Sequence, residues 1–279
     1  MGEGTLHYEP ALRVAAFLGV FVPVAVWEAL TPRRVRRFSR SGRWPHNLGL
    51  LALNVLLLRV LAPGAAIAVA IAAEAHGWGL LAATTALPDW AKVLAAIVAL
   101  DLAVYLQHVL FHAVPVLWRL HRVHHADTDF DVTTGTRFHP IEILVSTGIK
   151  CAAVAAIGAP AVAVLAFEVI LNATAMFNHA NARLPESVDR WLRRLVVTPD
   201  MHRVHHSVVW RETNSNFGFN LPYWDRLFGT YRAQPAQGHS GMTIGLEVFR
   251  APKDMRLDRM LLQPFGSGPG DRADSRGPR

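Results

Sequence analysis

The 279-residue chain holds a single cysteine, Cys151. One thiol excludes an intramolecular disulfide, a cysteine-based zinc site and an iron–sulfur cluster, and leaves histidine as the available soft-to-borderline metal ligand. Charge is scarce too: 18% of residues are Asp, Glu, Lys or Arg, against about 25% in an ordinary soluble domain. The sequence has no G-x-G-x-x-G opening a helix after a strand, no P-loop and no G-x-S-x-G elbow, so nucleotide binding and serine hydrolysis lack their motifs. What is abundant is hydrocarbon, at 52% of residues, the composition of a membrane protein.

The net charge of +7 does not point to nucleic acid, because the basic residues sit beside apolar spans rather than on an aromatic-interleaved polar surface. Arg33, Arg34, Arg36, Arg37, Arg40 and Arg43 follow the first apolar run within a short stretch, the positive-inside signature of a cytoplasmic connection. The N-terminus is therefore expected outside. Crossing the hydrocarbon takes roughly 20 residues, which residues 47–73 and 90–111 each supply. Residues 143–178 are expected to form a hairpin broken at Gly158 to Pro160 that returns the chain to the cytoplasm. The polar, aromatic stretch 180–262 reads as a cytosolic cap, and the tail "GSGPGDRADSRGPR" as disordered. The expected fold is all-α: a membrane bundle of about four spans, or three spans plus a helical hairpin, under a helical cap. Its parts are a transmembrane region (1–100), a catalytic domain (101–235) and a C-terminal segment (236–279).

Five of the fourteen histidines fall between residues 108 and 125. His108 and His112 are four apart, which on a helix puts both rings on one face. "HRVHH" then places His121, His124 and His125 at i, i+3 and i+4, and it recurs at His202, His205 and His206. Between the copies lies His179, at the inner end of the hairpin. One tetrahedral zinc uses at most four ligands, so these boxes imply two metals; imidazole alone does not choose among iron, zinc, copper and nickel. His7, His46, His76 and His239 have no spaced partner and are set aside.

In box order and intervening residues the chain resembles the fatty acid hydroxylase/sterol desaturase superfamily of membrane di-iron oxygenases. The resemblance runs from about Asp101 to Tyr231, through "DLAVYLQH", "PVLWRLHRVHH", "RFHPIE", "TPDMHRVHHS" and "NFGFNLPYWDRLFGTY". It implies a four-helix scaffold and a cap holding two iron ions. With O2 and two electrons, these would hydroxylate or desaturate a lipid such as an acyl chain, sterol or terpenoid. By matching position it makes His108, His112, His121, His124, His125, His179, His202, His205 and His206 the metal ligands, with His139 a ligand or a residue behind the ligands.

Metal-bound histidines usually donate their other ring nitrogen to a carboxylate or carbonyl. The candidates are Asp101, two turns before His108 on the same face, with Glu142, Asp200 and Asp225; Asn178 is placed to orient His179. Glu168 and Asn172 share a helix face inside the bundle. Asp127, Asp129 and Asp131 alternate like a calcium loop but lack its Gly and closing Glu, so they read as a polar connection. No group here stores electrons, so a separate ferredoxin, or a cytochrome with its reductase, must supply them to an enzyme acting on membrane lipid. The rival readings are a zinc-dependent membrane hydrolase and a non-catalytic metal-binding membrane protein.

Overall fold

A computed structural model describes residues 9–266; the expected disordered tail lies almost entirely outside them. Thirteen α-helices and three 3-10 turns make up the described residues, with only isolated bridge pairs in extended geometry. The long helices are α1 (Glu9–Leu30), α2 (Arg40–Leu61), α3 (Ala65–His76), α4 (Asp89–Ala113), α5 (Pro115–His125), α6 (Pro140–Ile157) and α7 (Ala161–Asn178). Short helices complete the cap: α8 (Glu186–Leu192), α9 (Pro199–His205), α10 (Trp210–Thr213), α11 (Tyr223–Leu227), α12 (Gly238–Gly241) and α13 (Leu257–Leu262). Five stretches are long and apolar enough to cross a bilayer: Pro10–Leu30, Arg40–His76, Asp89–Ala113, Pro140–Ile157 and Ala161–Asn178.

The second stretch is 37 residues long, more than one crossing requires. It breaks between α2 and α3 where Pro63 removes a backbone donor and Gly64 takes a left-handed φ of 59°. The hairpin turns at Gly158, also left-handed, giving two arms of 18 residues each. Small residues let the helices approach closely: Ala66, Ala70, Ala96, Ala161 and Ala163 pack with Leu100, Val154 and Phe167 in the buried core of α3, α4, α6 and α7. Both hairpin arms pack on α3 and α4 and make few contacts with each other, while α1 lies on α7 and α2 on α6. The outward faces, such as Leu18, Val22 and Val26 of α1, are exposed hydrocarbon suited to lipid.

The arginine run differs from the expected solvated loop. Arg40 and Arg43 open α2 instead of preceding it, and Arg43 is buried with Nη2 2.6 Å from Asp127 and Nη1 2.6 Å from Asp131. Arg33 bonds Asp200 at 3.2 Å, and Arg34 donates to the carbonyls of His239 and Met242. Asp127, Asp129 and Asp131, read as a polar connection, are all buried. A carboxylate removed from water needs a charged, hydrogen-bonded partner, and the run supplies it. Residues 236–266 are woven into the cap: Val208 N–H donates to Thr243 O and Gly245 N–H to His206 O, while α13 packs on α2.

Candidate metal centre

Helix α4 carries His108 and His112 to its cap end, α5 carries His121, His124 and His125, His179 caps α7, and α9 with its following residue carries His202, His205 and His206. Each of the nine is at least nine-tenths buried. Their ligand atoms fall into two groups, each within 4.8 Å: His108, His112, His121, His125 and His205 in one, and His124, His179, His202 and His206 in the other. The groups are not the sequence boxes. Each copy of HRVHH sends its i, i+4 pair to one group and its middle histidine to the other, so the two copies interlock. His125 and His206 stack at 4.5 Å across the boundary between the groups.

The proton positions follow from the outer partners. His108 Nδ1 lies 2.8 Å from Phe217 O and His205 Nδ1 2.7 Å from Ser215 O. A carbonyl only accepts, so both Nδ1 atoms carry the proton and both Nε2 atoms present a lone pair. Yet those two Nε2 atoms are 3.0 Å apart, and His121 Nε2 is 3.0 Å from His108 Nε2. In the second group His179 Nδ1 donates to Ala175 O at 2.7 Å, and its Nε2 meets Nε2 of His124 and of His202 at 3.1 and 3.2 Å. Burial holds His124, His125, His202, His205 and His206 well below the usual imidazole range and pushes His121 down to about 3 and His179 to about 4. Protonation therefore does not relieve the contact. Both nitrogens of His206 and Nε2 of His112 and His125 have no hydrogen-bond partner. Two imidazole nitrogens about 2.1 Å from one ion at right angles stand about 3.0 Å apart. A cation in the first group accounts for the facing lone pairs of His108 and His205, and the second group gathers four ring nitrogens at similar spacing.

The expected supporting residues divide. Glu142 Oε1 accepts from His121 Nδ1 at 2.6 Å, the carboxylate–histidine arrangement that fixes a tautomer. Asp225 acts one step further out: it accepts from Phe217 and Gly218 N–H at 2.8 and 3.0 Å, holding the loop whose Phe217 carbonyl meets His108. Asp101 touches no histidine; it receives Asn220, Leu221 and Trp224 and ties α4 to the cap. Asn178 donates to Phe219 O instead of orienting His179. Asp200 pairs with Arg33 and Arg203. His139 belongs to neither group: it caps α6, accepting from Ile141 N–H and facing Leu261 O. Glu168, sharing its face with Asn172 as expected, binds Arg13 at 2.5 Å and Lys150.

Three carbonyl partners went unseen in the sequence, since a backbone oxygen leaves no residue signature. So did the aromatic wall: Phe217 and Phe219 stand against His108 at 5.5 and 5.1 Å, Phe130 against His206 at 4.9 Å, and Phe138 lies flat on His124 at 4.6 Å. Of these four rings only Phe138 is partly exposed.

Residues 93–230 match the family model described as fatty acid hydroxylase. The chain is 29% identical over 174 residues to the ornithine lipid hydroxylase of Rhizobium tropici, covering 62% of this chain and 50% of that one. It is 26% identical to human alkylglycerol monooxygenase, over 57% of this chain and 34% of that one, and 27% identical to rat cholesterol 25-hydroxylase, over 51% and 47%. It thus spans half or less of the length of these relatives. No solved structure matches.

Proposed function

We propose that this chain, which belongs to the fatty acid hydroxylase family through residues 93–230, is a membrane-bound oxygenase that hydroxylates a lipid, with desaturation the alternative outcome at the same centre. The observation that carries this reading is the pair of buried histidine groups, nine ring nitrogens in two clusters with the Nε2 lone pairs of His108 and His205 facing each other at 3.0 Å. His108, His112, His121, His125 and His205 would hold one iron ion, and His124, His179, His202 and His206 the second. When bound, the irons supply the reaction of dioxygen with an unactivated C–H bond: one O2, two electrons and two protons give an alcohol and one water. The five nitrogens of one group exceed the three or four that a hydrolytic zinc uses, and that surplus favours the oxygenase over the hydrolase.

The protein's own residues prepare that chemistry. Glu142, Phe217 O, Ser215 O and Ala175 O each hold a proton on an Nδ1 atom, so that the Nε2 lone pair faces inward. Phe130, Phe217 and Phe219 keep bulk water from the rings. Substrate would approach between α6 and α7, which lean on α3 and α4 rather than on each other, and pass Phe138, the half-buried ring over His124. The histidine groups would lie on the cytoplasmic side, with electrons arriving from a separate carrier.

The reading is tested on detergent-purified, iron-loaded protein. Expected are about two irons per chain, oxygen uptake that depends on added reductant and lipid, and a hydroxylated product by lipid mass spectrometry. Bound zinc with oxygen-independent turnover overturns it.

A further inference from the structure

Two recesses open side by side on the cap, and neither contributes to the histidine groups. One, of about 430 Å³, is lined by Arg33, Arg190, Arg193 and Tyr231 with Glu186, Asp189 and Asp200; the other, of about 310 Å³, by Arg34, Arg37 and Arg250 with Asp129. They are continuous: Arg34 donates to His239 O, at the floor of the first, and to Met242 O, in the wall of the second.

Three of the four acids of this face are already matched. Asp189 pairs with Arg193, Asp200 with Arg33 and Arg203, and Asp129 accepts the Arg37 and Phe38 N–H groups. Arg37 and Arg190 are exposed, and Arg37 uses its main chain for Asp129, leaving its guanidinium turned over Phe38. His239, in the first recess, is buried with its Nε2 3.5 Å from Asp200 Oδ2. With six arginines to four acids along the two recesses, the face is concave and net positive.

It is also the thin side of the molecule. Met242 and Ile244 pack directly on Phe130, whose ring is 4.9 Å from His206, and Gly245 N–H donates to His206 O at 3.0 Å. From the second recess, Met242 or Ile244 and then Phe130 lead to the four-histidine group.

We propose that this face, built by residues 32–38 and 238–250, is the docking site of an acidic protein carrying a one-electron redox centre. The inference rests on the oxygenase reading. Each turnover there consumes two electrons, so two reduced carriers dock in succession and each leaves oxidised by one electron. Complementary charge steers such an encounter and sets its salt dependence. A bilayer surface would also favour arginines but has no use for a recess whose wall packs through Phe130 onto His206, which is why a protein is the favoured occupant.

The test reads binding, not turnover. Full-length protein in nanodiscs of uncharged lipid is titrated with two acidic probes, a plant-type [2Fe–2S] ferredoxin and a cytochrome b5. Wild type, Arg37→Glu/Arg190→Glu and the distant Arg256→Glu are compared at low and high salt. Expected is saturable binding of at least one carrier, weakened about tenfold or more by the double reversal and by salt, and unchanged in Arg256→Glu. The proposal fails if neither carrier binds wild type, or if the double reversal leaves binding unchanged. It fails equally if the reversal alters only retention on nanodiscs of anionic lipid, which would make the face a membrane contact. Because no metal or product is read, failure here leaves the oxygenase reading standing, and failure of that reading appears separately in the iron and lipid measurements.

Discussion

At the residue scale, the proposed centre makes the nine histidines interdependent, because each ion would draw on several lone pairs of one group. Substituting His124 or His205 by Ala removes one ligand from each group respectively, and the expected outcome is loss of one of the two metals in each variant by mass spectrometry. Glu142 sits behind a ligand. Glu142→Gln keeps an acceptor for His121 Nδ1 but removes the charge, and the expected cost is about 10–100-fold in metal affinity, read by competition with a chelator. Phe138 meets the lipid path in the proposed mechanism. Phe138→Ala should leave metal content intact while redistributing the hydroxylated carbon position among products, read by fragmentation mass spectrometry. The histidines were legible as candidate ligands because side-chain chemistry and helical spacing are written locally. Phe138 was not, because one phenylalanine among thirteen carries no local mark of standing over an imidazole.

At the element scale, two of the contacts that hold the cap to the bundle have no sequence signature. The 3-10 turn Thr134–Thr136 lies so close to α7 that a Cβ on Gly135 would stand 2.6 Å from Ala175 O and 3.3 Å from His179 Nδ1. Gly135→Ala must push the turn off α7 at the carbonyl that holds His179. The expected result is selective loss of metal from the four-histidine group, leaving about one ion per chain. The second contact joins α2 to the loop after box two through Arg43, whose guanidinium reaches Asp127 and Asp131. Arg43→Ala would strand two buried carboxylates and should cost about 3–5 kcal/mol, measured as a lowered denaturation midpoint in detergent. In sequence, Arg43 reads as one more charge of a positive-inside loop, and Asp127 as part of a polar connection. The pairing is 84 residues apart along the chain, beyond any local pattern. The hairpin at Gly158 was legible, since two apolar arms around a Gly-Ala-Pro break are a local signal.

At the scale of the whole molecule, five apolar stretches form a pedestal and the cap closes over its end, so that histidines from four segments meet where water is excluded. Without its proposed metal the first group would hold facing lone pairs in a buried space, and metal removal is expected to loosen the cap as a unit. Chelation should lower the thermal midpoint of wild type and increase proteolysis between residues 180 and 250, with a much smaller change in His124→Ala/His205→Ala. The sequence by itself determined the solvent, the helical class, the hairpin and the nine candidate ligands, because hydropathy, turn chemistry and i, i+4 spacing act over a few residues. Only the tertiary structure decided how those nine divide, with each HRVHH splitting between two groups. It alone also decided which carbonyls fix their tautomers and which arginines are buried glue rather than surface charge. Those outcomes depend on where distant segments come to rest against one another, and that placement is set by packing across the whole bundle.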